Sequence, residues 1–417
     1  MNPTLKDRLR PYWYAYNRAL IPLKQWRVKP LTWISASSLE LGPPHGFYPT
    51  TREWYDRLNG EDKAKSAYQE IHPASTSQRT LPQTLSGETH WKFKQRATHQ
   101  AEATFVAQIP QGRVFGENGT VLTPCDSILA DVSTEHRRTI EEHSLFTLWK
   151  LPPVRHLAGT AAVLSTQGSD VYFHWMFDVL PRLELLRLAG IDFNNIDYFI
   201  FSSYHLPFQI QTLEKLGIPA NKIITNREFP HISADTLIVP SWASQPGDMP
   251  EWACQFLKNT FLPDKTNHSS EPSRKLYISR AQARHRKVIN EEELVEKLET
   301  IGFESIILES KSMEEQAQLF ASASHIIAPH GGGQSNLVFC HPGTKVLEIF
   351  SPNYVETHYW VLSNEVNIDY HYLMGAGKIP DDYYDPHWIW DNLEVPISPL
   401  YRYLQASQTP THLPKSR

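Results

Sequence analysis

The sequence predicts an α/β protein: two Rossmann-like, doubly wound domains that face a cleft, preceded by an irregular N-terminal extension. Short β-branched runs alternate with stretches of helical spacing, the pattern of parallel strands joined by crossover helices. The alternation occurs twice, over residues 111–262 and 274–375, and a Pro/Ser/Asn-rich stretch, Pro263–Ser273, separates the two. At 417 residues the chain is long enough to bury two such cores.

In the first repeat, strands are expected at Thr160–Ser165, Asp197–Ser202, Lys222–Thr225 and Thr236–Val239. A helix over Val171–Ala189 closes at Gly190, and one over Leu206–Leu216 stops at Gly217. In the second repeat, Lys275–Arg280 reads as a strand. Asn290 with Glu293 reads as a capping box, and Leu294, Leu298 and Ile301 follow at helical spacing up to Gly302. Phe303–Leu308 is a strand, Ser312 with Glu315 opens another helix, and strands follow at Ser324–Pro329 and Lys345–Phe350. Residues 1–110 carry turns at Pro43-Pro44 and Pro49 and a polar run, Ser75–Thr98; they read as irregular and partly β.

Three clusters carry chemistry. His330-Gly331-Gly332-Gly333 lies between two expected strands, and a short helix over Gln334–Phe339 follows. Glycines admit a close backbone approach, and a helix N-terminus favours an anion, here a diphosphate. A plain glycine-rich connection would look the same locally. The second cluster, Arg280 with Arg284, His285, Arg286 and Lys287, falls just past the end of an expected strand, where open α/β sheets bind ligands. Arginine forks match phosphate oxygens. The third is His174-Trp175-Met176-Phe177-Asp178, continued to Pro181-Arg182. His174 and Asp178 are four apart and share a helix face, which Arg182 continues. The pair reads either as a structural hydrogen bond or as a base, and Pro181 should distort or end the helix.

Taken together, Phe173–Arg182, Tyr277-Ile278-Ser279-Arg280 with Arg286 and Asn290-Glu291, Pro329–Gly333 with Asn336, and Pro342–Glu348 resemble glycosyltransferase family 61. Arg113–Gly119 resembles a turn found upstream in that family. The blocks stand in the family's order over roughly residues 110–375, with Gly332 where the family often has Ala. The resemblance implies a GT-B fold whose C-terminal segment, residues 376–406, returns to the first domain. It implies an inverting transfer from a nucleotide sugar, foremost a UDP-sugar, to a glycan or other hydroxyl acceptor. Asp178 is the expected base, with His174 second. The donor would be held by Arg280, Arg286, His330, Gly331, Gly332, Gly333 and Asn336, with Glu348 accepting from ribose hydroxyls. The alternative is a non-catalytic glycan- or nucleotide-binding protein with a relict transferase fold.

No D-x-D occurs, so no carboxylate pair offers itself to a metal on the diphosphate, and neither metal nor cofactor is expected. The absence of G-x-S-x-G and G-x-G-x-x-G argues against a hydrolase and a dinucleotide oxidoreductase. Net charge −5 gives no reason to expect nucleic acid. No run of about 18 apolar residues suggests a membrane span, and three scattered cysteines fit a reducing cytoplasm. The basic, aromatic residues 1–29 would either pack on the protein or rest on a membrane surface, with packing expected. Residues 407–417 read as a disordered tail.

Overall fold

The computed structural model describes residues 12–13, 15–28, 43–136, 138–262, 272–377 and 391–408. Most of the Pro263–Ser273 linker, the aromatic run Pro386–Trp390 and most of the expected tail fall outside them. The chain forms two compact units, Met1–Ser75 with Gln100–Thr260, and Thr76–His99 with Phe261–Arg417.

The first unit is built on a ten-stranded mixed sheet. Its parallel part runs, in spatial order, His231–Pro240, Arg155–Val163, Tyr198–Phe201, Ile223–Thr225. Ala161, Val163, Ile200, Leu237 and Val239 of these strands are fully buried in one core. The chain leaves Arg155–Val163 toward one side of the sheet and returns with His231–Pro240 on the other. The C-terminal ends of those two strands therefore form the switch point where such sheets bind ligands.

Residues 67–72 and 104–110, read as irregular, contribute antiparallel strands together with Arg113–Phe115. Thr104–Pro110 and Arg113–Phe115 both pair with His231–Pro240, and Ala67–His72 pairs with Thr104–Pro110. These strands are short, and Thr104–Pro110 is buried along most of its length, so no clean alternation marks it in the sequence.

The second unit is a six-stranded, all-parallel sheet in the order Phe303–Ile306, Arg274–Ile278, Ala323–Pro329, Lys345–Phe350, Asp369–Met374, Gln83–Thr84. Its switch point lies between Arg274–Ile278 and Ala323–Pro329. Residues 76–99, expected within the extension, belong to this unit: the ring of Phe93 is fully buried against Phe350, Trp360, Tyr370 and Tyr372.

Several expectations need correction. The helix after the first strand is not uniform. An α-turn, Tyr172–His174, passes into a π-helical turn, Trp175–Val179, and then into the α-helix Leu180–Leu188. The Leu180 N–H reaches back five residues to the Trp175 carbonyl. Pro181, one residue on, has no N–H to donate and needs room for its ring, so the widened turn relieves both demands. Asn290 makes no side-chain cap. Its amide instead donates to the Val395 carbonyl at 2.8 Å and accepts from the Val395 N–H at 2.9 Å. Of the C-terminal segment, Leu393, Val395, Leu400 and Leu404 are buried in the core of the second unit, beside Tyr277 and Leu294. The segment after the glycines is a 3-10 helix from Gly332 to Phe339. Ser312 with Glu315 opens the next helix as expected, the two side chains forming a capping box.

Candidate active site

At the second unit's switch point, Arg280 follows one strand and His330-Gly331 follows its neighbour. The Nη1 end of the Arg280 guanidinium lies against Gly331: a Cβ there would sit 1.8 Å from Nη1. The Arg280 guanidinium donates to the carbonyls of Arg286 (3.2 Å) and His285 (2.8 Å), and among the described residues no carboxylate pairs with that guanidinium. Burial and then the Arg286 charge lower its pKa to about 10, so it stays a cation at neutral pH. Arg286 has φ +56°, a conformation costly for a long side chain and characteristic of binding loops. Its Nε donates to the His330 carbonyl at 3.2 Å, and its guanidinium lies over Tyr354, 5.3 Å from the ring centroid. Two guanidinium groups, a side-chain-free turn and the first N–H groups of a helix thus meet at one point. That combination suits a polyanion such as a diphosphate.

Beneath this surface lies a buried polar support. His330 Nδ1 is 2.6 Å from Glu348 Oε1, Gln334 donates to the same oxygen at 2.9 Å, and the Tyr370 hydroxyl donates to Oε2. Burial drives the Glu348 pKa up to about 8. Burial, then the charges of Arg286, His358 and Arg280, hold His330 well below its ordinary value. Glu348 is fully buried, so it positions the His330 backbone that Arg286 binds and does not meet a ribose hydroxyl. Asn336 is likewise buried, its amide donating to Gln316 (2.7 Å) and the Gly333 carbonyl (3.1 Å), a brace for the turn.

The Glu348 shift carries a pH sign. Its folded pKa exceeds the unfolded value of 4.5, so as pH rises from 4.5 to about 8 the unfolded chain releases a proton that the folded one keeps. Stability contributed below 4.5 is lost across that window, at up to about 1.4 kcal/mol per pH unit. Glu348→Gln, neutral at every pH, should gain stability relative to the parent as pH rises from 4.5 to 8. Thermal melts along that range test it, and a constant difference would remove the ionisation from the account.

In the first unit, His174 Nδ1 and Asp178 Oδ2 are 2.6 Å apart at the start of the helix that leaves the switch point. Asp178 is 4% exposed, whereas the His174 side chain is 31% exposed and its Nε2 has no partner among the described residues. Burial lowers the His174 pKa, but the hydrogen bond and charge of Asp178 outweigh it and leave the value raised. The ring rests on Gly168 (φ +81°), where a Cβ would lie 2.8 Å from the His174 Cδ2. Arg182 does not join a reactive face. Wholly buried, it donates to the Ser165 carbonyl at 3.1 Å and to the Pro240 carbonyl at 2.9 Å, tying together the two strand ends of the switch point. Arg113 pairs with His231 at 3.1 Å and with Asp126, also as a buried brace.

Sequence reasoning missed Tyr354, Tyr370, Gln334 and Gly168. Tyr354 had a signal, standing just past the C-terminal end of Lys345–Phe350; Gly168 had a weaker one, in the first strand-to-helix connection.

The profile of the family described as Glycosyltransferase 61 matches residues 172–347, a span that takes in the His174–Asp178 pair, Arg280, Arg286 and the glycine turn. The chain is also similar to the rice (Oryza sativa subsp. japonica) protein beta-1,2-xylosyltransferase RCN11, with 37% identity over 67 residues. That stretch is 16% of this chain and spans only 13% of the rice protein's length.

Proposed function

We propose that this chain, whose residues 172–347 belong to glycosyltransferase family 61, transfers a sugar from a nucleotide-sugar donor to a hydroxyl of a glycan or other acceptor, with inversion. The observation that carries the reading is the meeting of Arg280, Arg286 and Gly331 at the second unit's switch point, where a diphosphate leaving group finds two cations. The first unit supplies the base. As the acceptor oxygen bonds to the anomeric carbon and the carbon–oxygen bond to the diphosphate breaks, the acceptor proton passes to His174 Nε2. Asp178 fixes the ring and stabilises the imidazolium, the reverse of the roles expected from spacing alone.

The rice relative's name makes UDP-xylose the first donor to screen, ahead of UDP-hexoses. Donor-dependent release of UDP, followed by isothermal calorimetry with UDP, tests the reading. Arg286→Ala should weaken UDP binding by about 1.5–3 kcal/mol, the worth of a charged hydrogen bond. Unchanged affinity would take Arg286 out of the site. Donor binding with no turnover on any acceptor or on water would leave a binding protein instead.

Metal independence also belongs to this proposal, on the ground that the sequence lacks D-x-D. Turnover should persist in excess EDTA; loss on chelation with recovery on Mn²⁺ would overturn that part.

A further inference from the structure

The first 30 residues hold seven Lys or Arg and one Asp, a net charge of +6, while the whole chain carries −5, so the remainder carries −11. Within this basic stretch, the described helical residues between 12 and 28 are seated on one side and bare on the other. Ile21 and Val28 are buried, Arg18 pairs with Glu142 at 2.9 Å, and the Gln25 amide donates to the Glu141 carbonyl. The expected packing thus accounts for one face only. Main-chain bonds from Leu20 to Tyr16 and from Lys24 to Leu20 carry the helical path across Pro22. Tyr12, Tyr16, Leu23 and Trp26 recur at spacings of four, seven and three and lie on the opposite face. Leu23 is 56% exposed and Trp26 72%. Trp149, 54% exposed, joins them from a neighbouring segment, with Arg27 5.8 Å from its ring centroid.

We propose that this face is a docking surface for an anionic membrane. Tyr and Trp favour the headgroup layer because each joins an apolar ring to a polar atom. Lysine and arginine beside them, here Lys24 and Arg27, meet negative lipid headgroups, and the segregation of +6 against −11 orients the chain with this end toward them. Among the described residues no helix is long and apolar enough to cross a membrane, so the attachment is peripheral. The proposal does not depend on the transferase reading.

The full chain should co-sediment with vesicles of equal parts phosphatidylcholine and phosphatidylglycerol. Binding to phosphatidylcholine vesicles alone should be at least tenfold weaker, and high salt should release the protein. The double substitution Leu23→Ser/Trp26→Ser should weaken binding to the anionic vesicles at least tenfold with an unchanged melting temperature, since both side chains are exposed. Lys24→Glu/Arg27→Glu should do the same through charge. The proposal falls if the parent ignores anionic vesicles, if it binds them equally well after Leu23→Ser/Trp26→Ser, or if sedimentation velocity shows that this face is buried in a dimer abolished by that variant.

Discussion

His174→Ala should lower turnover by about 10²–10⁴-fold, the usual worth of a positioned general base, and leave UDP affinity unchanged. The argument rests on access. Asp178 is 4% exposed and engaged with His174, while the His174 side chain is 31% exposed and its Nε2 has no partner among the described residues. Because the folded pKa of His174 is raised, its contribution to stability is full below 6.5 and is lost as pH rises through the folded value. Activity runs in the opposite sense: the neutral, basic form appears as pH rises through that same value, so kcat should climb along an acid limb above 6.5. Asp178→Asn removes the charge that raises the pKa. The limb should then move to lower pH, and turnover should fall by about 10²-fold or more because the ring loses its fixed tautomer. The pH profile separates this from a merely structural pair. If Asp178→Asn abolishes turnover while His174→Ala spares it, the base is Asp178.

The positions of these groups were legible in the sequence; their roles were less so. Periodicity and glycine punctuation located most strands and helices of both repeats, because parallel strands and crossover helices write strong local signals. Arg280, Arg286 and the glycines were found because the ends of such strands are where ligands bind. Local signals fail where long-range contacts decide. Gln83–Thr84 and Phe93 lie far in sequence from the sheet they complete. Asn290, a good cap by type, is claimed by Val395, more than a hundred residues on. Glu348 and Asn336 looked like ligand contacts because they are polar and near the turn. Only burial reveals them as supports: both are wholly enclosed and their polar atoms turn inward. The same holds for Arg182, which spacing placed on the His174–Asp178 face but whose partners are main-chain carbonyls.

Gly331→Ala should cost about 10–150-fold in UDP affinity with little change in melting temperature. Gly331 has φ 173°, an extended backbone that any residue adopts, so conformational freedom is not the reason for glycine here. The reason is steric. The new methyl would lie 1.8 Å from Arg280 Nη1 and 2.7 Å from Cζ. Both atoms are at the far end of a flexible side chain, so the fold survives and Arg280 swings away. The loss should therefore equal that of removing the guanidinium, about 1.5–3 kcal/mol for a charged hydrogen bond. A double-substitution cycle makes the claim specific. Arg280→Ala should weaken UDP binding to a similar extent, and adding Gly331→Ala to it should cost little more, since nothing is left to displace. Were the two losses simply to add, the glycine would act by admitting the diphosphate to its own backbone, and the close approach of Arg280 to Gly331 would be incidental to binding.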